Sequence, residues 1–167
     1  LNGQSGGTPA DRFGGSVSSA GDFNGDGKDD VIVGARLDDN NSEADSGSAF
    51  IFFGGITGTK TADADADVIL NGQSAGDGFG ISVASAGDFN GDGKDDVIVG
   101  ASGDNNFASG SGSVFIFFGG FTGTKTADAN ADVIIDGGKP GAGVGDQFGG
   151  SVASAGDFNG DGKDDVI

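Results

Sequence analysis

The sequence predicts an all-β protein made of stacked four-stranded antiparallel sheets, the arrangement found in a β-propeller. The nine-residue segment DFNGDGKDD begins at Asp22 and returns unchanged at Asp88 and Asp157, so the chain repeats at steps of 66 and 69 residues. Short apolar runs of strand-forming residues surround each copy. Glycine contributes 37 of the 167 residues, yet 35% of the chain is apolar and 14 residues are Phe. These proportions indicate turns within a folded protein, because disordered chains lack such aromatic residues.

Four strands are predicted in the first repeat. Residues 14–20 are small and nearly uncharged, as expected of a crowded innermost strand. Residues 30–35 and 49–53 are apolar on both faces, which indicates burial on both faces, and residues 67–70 form a fourth short run. The second repeat has corresponding strands at 96–101, 113–118 and 132–135.

Strands that are apolar on both faces have to pack between neighbouring sheets, because four short strands bury too little surface to be stable alone. A radial stack of such sheets is a propeller of at least about four blades, although the period by itself also allows a β-solenoid. The remaining blades would come from the same polypeptide or from other copies of the chain.

The repeated segment has the composition of a cation-binding loop. Asp22, Asn24 and Asp26 alternate with residues that need not bind anything, and Asp30 closes the set. Two glycines allow a turn tight enough to bring the carbonyl group of Lys28 inward. Because all these donors are oxygens and the chain contains no Cys and no His, the sequence favours a hard cation over zinc or copper.

Calcium suits this loop better than magnesium, which requires octahedral geometry and retains its waters; manganese is the less favoured alternative. The other interpretation is a bare solvated turn. Three identical copies, each with four carboxylates within nine residues, favour a cation because such close like charges repel one another. An EF-hand is excluded because its twelfth position, normally an acid, holds Val33 in the first copy and Val99 in the second.

The motifs around these loops resemble a known family. Phe13-Gly14, the small-residue strand, Ala20-Gly21-Asp22, the loop and Val33-Gly34-Ala35 are similar to the FG-GAP repeat of integrin α-subunit propellers and of many bacterial surface proteins. The match recurs at Phe79-Gly80 with Val99-Gly100-Ala101, and at Phe148-Gly149. The resemblance implies a seven-bladed propeller like the integrin α N-terminal domain, with calcium held between the first and second strands of a blade.

Carried over by position, the resemblance implies one Ca²⁺ ion per loop and three in this chain. The implied ligands, with each lysine acting through its carbonyl oxygen, are Asp22, Asn24, Asp26, Lys28 and Asp30; Asp88, Asn90, Asp92, Lys94 and Asp96; and Asp157, Asn159, Asp161, Lys163 and Asp165. The Pro that often follows Gly-Ala in the family is replaced by Arg36 and Ser102, which affects the expected shape of the following loop.

The same register divides the chain into blades. Residues 1–12 are expected to end a preceding blade as its fourth strand, and residues 148–167 to begin a third FG-GAP blade. Residues 13–78 and 79–147 are expected to form two complete blades.

Charge and composition limit the partners. The formal net charge of −18 argues against nucleic-acid binding and against docking on anionic lipid. No apolar run is long enough to insert into a membrane. Loops of this type fill reliably where calcium is millimolar, so an extracellular location is expected, secreted or on the cell surface.

Catalytic groups are scarce in the chain. Asp63, Asp65 and Asp67 are candidate acids for glycoside hydrolysis, but their alternating tract looks like a solvated strand edge. Lys60 and Lys125 lack the spacing of a phosphate-binding loop and are interpreted as surface turns. We therefore expect no enzymatic activity.

The predicted function is that of a calcium-stabilised propeller segment acting in adhesion, protein interaction or assembly, with an unidentified protein or glycan ligand. The alternatives are an accessory propeller of a larger extracellular hydrolase or lyase, and a subunit of a homo-oligomeric extracellular filament.

Overall fold

The computed structural model describes residues 11–40, 42–138 and 145–167. These residues form eleven strands and two four-residue helices. In chain order the elements are β1 (Ser16–Gly21), β2 (Asp30–Ala35), β3 (Ser48–Phe52), α1 (Ala62–Asp65), β4 (Val68–Asn71), β5 (Ser82–Gly87), β6 (Asp96–Ala101), β7 (Ser113–Phe117), β8 (Gly123–Thr126), α2 (Ala127–Asn130), β9 (Val133–Asp136), β10 (Ser154–Gly156) and β11 (Asp165–Val166).

The strands form two blade-like sheets and the start of a third. The first sheet has the order β1-β2-β3-β4-β8, the second has the order β5-β6-β7-β9, and β10 pairs with β11. Within each repeat the four strands of the blade pair antiparallel in chain order, and β8, which lies between β7 and β9 in the chain, joins the first sheet instead. The all-β class and the four-stranded antiparallel blades predicted from the sequence are therefore confirmed.

The main core lies between the two sheets. Adjacent residues of a strand point to opposite faces, so Ile32 faces the second sheet while Val33 packs on the other face of the first. The Phe79 ring enters the interface and meets Phe115 and Phe117 edge-on, with ring centroids 5.5 and 6.3 Å away. Stacking of sheets thus buries the aromatic residues, as their two-faced apolar pattern predicts.

The Phe-Gly and Gly-Ala motifs meet within each blade. The backbone N–H of Gly14 donates to the carbonyl of Gly34 at 3.0 Å, and that of Gly80 donates to Gly100 at 3.0 Å. This bond joins the chain entering the first strand to the end of the second strand. The first strands of the two blades, β1 and β5, lie side by side.

Two interpretations of the connecting segments are wrong. The tract around Asp63 and Asp65 is a helix turn, not a strand edge: Ala62 is 2% exposed, and the Asp65 carboxylate accepts the Thr61 N–H at 2.8 Å. Lys125 lies in β8 and not in a surface turn. Its ammonium nitrogen lies 3.7 Å from the centroid of the Phe121 ring, so local contacts stabilise this extended segment.

The fourth strand predicted for a preceding blade falls on residues 1–12, of which residues 1–10 lie outside the described part of the chain. Within the described residues, no helix is long and apolar enough to cross a membrane.

Candidate metal centre

The first loop of the repeated segment, residues 22–30, curls around its own polar side chains. The Asp22 carboxylate accepts the backbone N–H groups of Asp26 at 2.8 Å and Gly27 at 2.9 Å. The Asn24 side-chain oxygen accepts the same Asp26 N–H at 2.7 Å. These side chains therefore turn inward over the loop, which is the orientation that a set of cation ligands requires.

The last residue of the loop, Asp30, is a buried carboxylate at the start of β2. Its side chain accepts the backbone N–H of Asn24 at 3.2 Å and that of Gly54 at 2.7 Å. Asp30 is 1% exposed, and burial raises the pKa of its carboxyl group even though these two hydrogen bonds act in the opposite direction. The negative charges of Asp26 and Asp22 raise this pKa further.

The second loop repeats the arrangement with deeper burial of its last residue. Asp96 is 0% exposed, and burial raises the pKa of its carboxyl group to about 6 from an ordinary value of 3.8. Hydrogen bonds from Gly119 and Asn90 lower this pKa, whereas the charges of Asp92 and Asp88 raise it. A positive charge placed among these carboxylates would offset both the burial and the repulsion.

In all three loops the carboxylate of the first residue accepts backbone N–H groups of its own loop, two in the first loop and three in each of the others. Asp88 accepts the N–H groups of Gly91, Asp92 and Gly93 at 2.8, 2.8 and 2.9 Å. Asp157 accepts those of Gly160, Asp161 and Gly162 at 2.7, 2.9 and 2.9 Å. Identical sequence thus gives similar local bonding, including in the third copy, where Phe158 is 86% exposed.

The loops differ in how the central carboxylate is bonded. The Lys28 ammonium group lies 3.1 Å from Asp26 Oδ2, and this hydrogen bond holds the pKa of the Asp26 carboxyl group below its ordinary value. In the second loop the Asn90 side-chain nitrogen donates to Asp92 Oδ2 at 3.0 Å. Within the described residues, no group of three acidic side chains forms a metal-binding cluster.

The donor chemistry nevertheless fits a hard divalent cation. The side chains turned into each loop present only oxygen acceptors, apart from the asparagine amide group, which can rotate to present its oxygen. The buried carboxylate at the end of each of the first two loops lies close to other negative charges. These are the conditions under which a bound cation is most stabilising.

A second set of buried carboxylates, which the sequence did not predict, lies at the opposite ends of the strands. Asp38 and Asp77 are 5% and 4% exposed, and Asp104, the counterpart of Asp38 in the second repeat, is 3% exposed. The recurrence of these aspartates outside the loops was the available signal. Because no spaced motif surrounds them, sequence alone gives no chemical role for them.

The FG-GAP repeat family matches residues 13–52 and 79–117, which contain the first three strands of each blade and the first two loops. The chain is an FG-GAP repeat protein. Both matches begin at the phenylalanine of a Phe-Gly motif. The glycine of that motif donates the hydrogen bond that joins the start of the first strand to the Gly-Ala motif at the end of the second.

Known proteins similar to this FG-GAP repeat protein include integrin α subunits. It is 33% identical over 154 residues to integrin alpha-PS5 of Drosophila melanogaster, covering 92% of the chain and 14% of that relative. It is 38% identical to integrin alpha-3 of Cricetulus griseus and 37% identical to integrin alpha-3 of Mus musculus, each over 95 residues. These matches cover 57% of the chain and 9% of each integrin alpha-3, so the chain spans a small part of these relatives.

Proposed function

We propose that this chain is a calcium-binding β-propeller segment of a secreted or cell-surface protein, with a structural role in adhesion, protein interaction or assembly. The observation that carries the proposal is the buried carboxylate that closes each of the first two loops beside the loop's other acidic side chains. Similarity to integrin α subunits supports the extracellular setting and the adhesive role.

In this proposal each loop holds one ion. A bound Ca²⁺ would supply the positive charge that the loop carboxylates lack, and would thereby hold the first strand against the second. The first ion would be held by side-chain oxygens of Asp22, Asn24, Asp26 and Asp30 and by the carbonyl oxygen of Lys28. The second and third loops would use the equivalent residues beginning at Asp88 and Asp157.

The blades are proposed to be residues 13–78 and 79–147, with residues 148–167 beginning a third. Their partners in this proposal are further blades, either of the same polypeptide or of other copies of the chain. An apolar cleft of about 290 Å³ beside the third hairpin, formed by β10 and β11, supports the proposal of a further blade because apolar side chains line it. They are Ile98, Val114, Ile135, Phe148, Val152, Val166 and Ile167. A ligand of the complete propeller would be a protein or glycan bound through its loops.

We propose a non-enzymatic role. Most acidic side chains in the described part of the chain already have a structural use: Asp67 and Asp132, for instance, accept the backbone N–H groups of Phe53 and Phe118, both at 2.8 Å. The resemblance to integrin α subunits gives the same expectation.

The calcium proposal is tested by titrating the 167-residue chain with Ca²⁺ in a calorimeter and by melting it with and without chelator. We expect three bound ions and a melting temperature that falls in chelator, because the carboxylates then repel one another. Asp26→Ala should remove one ion. Asp29→Ala, which removes a charge from the same loop but no proposed ligand, should leave three. Identical melting curves with calcium and with chelator would contradict the proposal.

A further inference from the structure

The eighth residue of the second and third repeated segments, Asp95 and Asp164, makes a contact that the loop itself does not explain. The Asp95 Oδ2 atom accepts the backbone N–H of Asp22, in the loop of the preceding blade, at 2.6 Å. The backbone N–H of Asp95 donates in return to the carbonyl of Asp22 at 3.3 Å. The third hairpin repeats this contact on the second blade: Asp164 Oδ2 accepts the Asp88 N–H at 2.9 Å, and its own N–H donates to Asp88 at 3.3 Å.

The residue before each acceptor loop is shaped to admit this carboxylate. Gly21 and Gly87 have φ angles of +63° and +64°, a conformation that residues with a Cβ rarely adopt. A Cβ on Gly21 would overlap the carboxylate of Asp95, and one on Gly87 would overlap that of Asp164. The glycine therefore provides both the backbone conformation and the space for the incoming side chain.

Neighbouring contacts partly cover the first of these junctions, where the bond between Asp22 and Asp95 is half-buried. The backbone N–H of Gly120 in the second blade donates to the carbonyl of Phe23 at 2.7 Å, and the Phe23 ring meets Phe121 edge-on at 5.3 Å. Phe23 is 0% exposed. A hydrogen bond to a charged acceptor in such surroundings is stronger than one at the surface.

We propose that Asp95 and Asp164 are interblade staples that couple the second and third cation-binding loops to the loop of the preceding blade. Asp22 and Asp88 are the first residues of their loops. The Asp22 carboxylate accepts two backbone N–H groups of its own loop, and the Asp88 carboxylate accepts three. Fixing their backbone from the next blade therefore fixes the position of the whole loop. By linkage, tighter docking of the next blade strengthens cation binding in the loop before it, and the reverse also holds.

Asp29, the eighth residue of the first loop, provides a matched control. It has the same local sequence as Asp95 and Asp164, and its carboxylate makes no hydrogen bond to another described residue. At the other end of the chain Gly156 has a φ angle of +62°, and no atom lies within 4 Å of the position of a Cβ there. The positive φ angle of this glycine therefore does not depend on a staple. The repeat sequence sets this backbone conformation, and the carboxylate of the next blade then packs against it.

The experiment measures backbone amide hydrogen exchange by NMR in the 167-residue chain, with calcium and with chelator. Asp95→Ala should speed exchange of the Asp22 amide by about tenfold or more and leave the Asp88 amide unchanged. Asp164→Ala should do the reverse, and Asp29→Ala should affect neither amide. A general loss of stability would speed both amides together, so the crossed pattern is specific to the staples.

An Asp22 amide that stays equally protected in Asp95→Ala overturns the inference. If that variant does not fold, Asp95→Asn is measured, because it retains an acceptor oxygen without the charge. A smaller increase in the exchange rate, confined to the Asp22 amide, supports the staple. An unchanged exchange rate of that amide overturns it. Only the cation coupling depends on the proposed calcium function. Crossed exchange without any effect of calcium would retain the staples and reject calcium binding, whereas unchanged calcium affinity of the first loop in Asp95→Ala would reject the coupling.

Discussion

Among single residues, the buried carboxyl groups outside the loops make the free energy of unfolding depend on pH. Burial raises the pKa of both the Asp38 and Asp77 carboxyl groups to about 6 from an ordinary value of 3.8. A hydrogen bond from Ser48 acts against this for Asp38, while the nearby charges of Asp63, Asp11 and Asp39 add to it. Within the described residues, Oδ2 of Asp38 and Oδ1 of Asp77 are buried without a hydrogen-bond partner. Ionisation at these positions is therefore costly.

This cost gives a pH dependence of defined sign. Between pH 3.8 and about 6 the folded protein retains protons on these two groups that the unfolded chain has released. Their contribution to the free energy of unfolding is therefore fully present below pH 3.8 and is lost as the pH rises through about 6.

We expect Asp38→Asn to stabilise the protein at pH 7 by on the order of 1–2 kcal/mol, and to have no stabilising effect at pH 4. Asp29→Asn is the control, because Asp29 is exposed and is not among the charges that raise the pKa of the Asp38 carboxyl group. Urea unfolding at both pH values measures the difference between each variant and the parent chain. Equal effects of Asp38→Asn at the two pH values would contradict the explanation.

Among the secondary-structure elements, the close approach of neighbouring blades depends on the glycine near the end of each second strand. A Cβ on Gly34 would overlap the carbonyl oxygen of Gly80, and one on Gly100 would overlap that of Gly149. The Gly-Ala motif of one blade thus packs directly on the Phe-Gly motif of the next. The motif residues are adjacent across the blade interface as well as within each blade.

We expect Gly34→Ala to destabilise the protein by about 3 kcal/mol, because the overlap is with backbone, which cannot rotate away. Gly14→Ala separates crowding from backbone strain: Gly14 has a φ angle of +81° but no atom within 4 Å of a Cβ position. That variant should cost about 1–2 kcal/mol from conformation alone. Thermal and urea unfolding measure both, and a Gly14→Ala effect larger than that of Gly34→Ala would argue against the packing explanation.

A second contact between blades comes from β8, a segment of the second repeat that extends the first sheet. It pairs in parallel with β4, from Val68 opposite Gly123 to Asn71 opposite Thr126. The backbone N–H of Gly123 also donates to the carbonyl of Asp67 at 2.9 Å. This addition covers the outer edge of the first blade, where unpaired backbone groups would otherwise be exposed.

For the whole molecule, equivalent residues in the two blades differ in exposure according to what packs on them. Val17 is 63% exposed whereas its counterpart Val83, which packs against the first blade, is 5% exposed. Val31 is 40% exposed and its counterpart Val97 is 0% exposed, so the prediction that the second strand is buried on both faces holds fully only in the second blade. The exposed face of the first blade therefore has the apolar surface that docks a blade elsewhere in the chain.

We expect copies of the 167-residue chain to associate through the exposed face of the first blade. Native mass measurement in calcium should give species larger than the 16.1 kDa chain, because the uncovered face of the first blade matches one that is buried within the molecule. Val17→Asp should shift the distribution toward the monomer, by about tenfold or more in dissociation constant. Phe107→Asp, at an apolar loop residue that is 55% exposed, is the control. A single 16.1 kDa species at all concentrations would exclude association through these faces.

The local structure of this protein follows from its sequence. Short runs that are apolar on both faces predict the buried strands, because a strand shows its two faces within a few residues, and these positions agree with β2, β3, β6 and β7. The spaced aspartates and glycines specify a loop whose side chains bond to its own backbone, with the same result in three copies. The proposed ligand set also follows from this spacing and from the family resemblance.

Which surfaces meet depends on the packing of the blades. Equivalent strands have different exposure because burial depends on the neighbouring sheet, as Val17 and Val83 show. The staple from Asp95 to Asp22 joins residues 73 positions apart, and β8 pairs with a strand of the preceding blade. No local pattern encodes such contacts, because the same residues would be a solvated turn or a free strand if the next blade were packed differently.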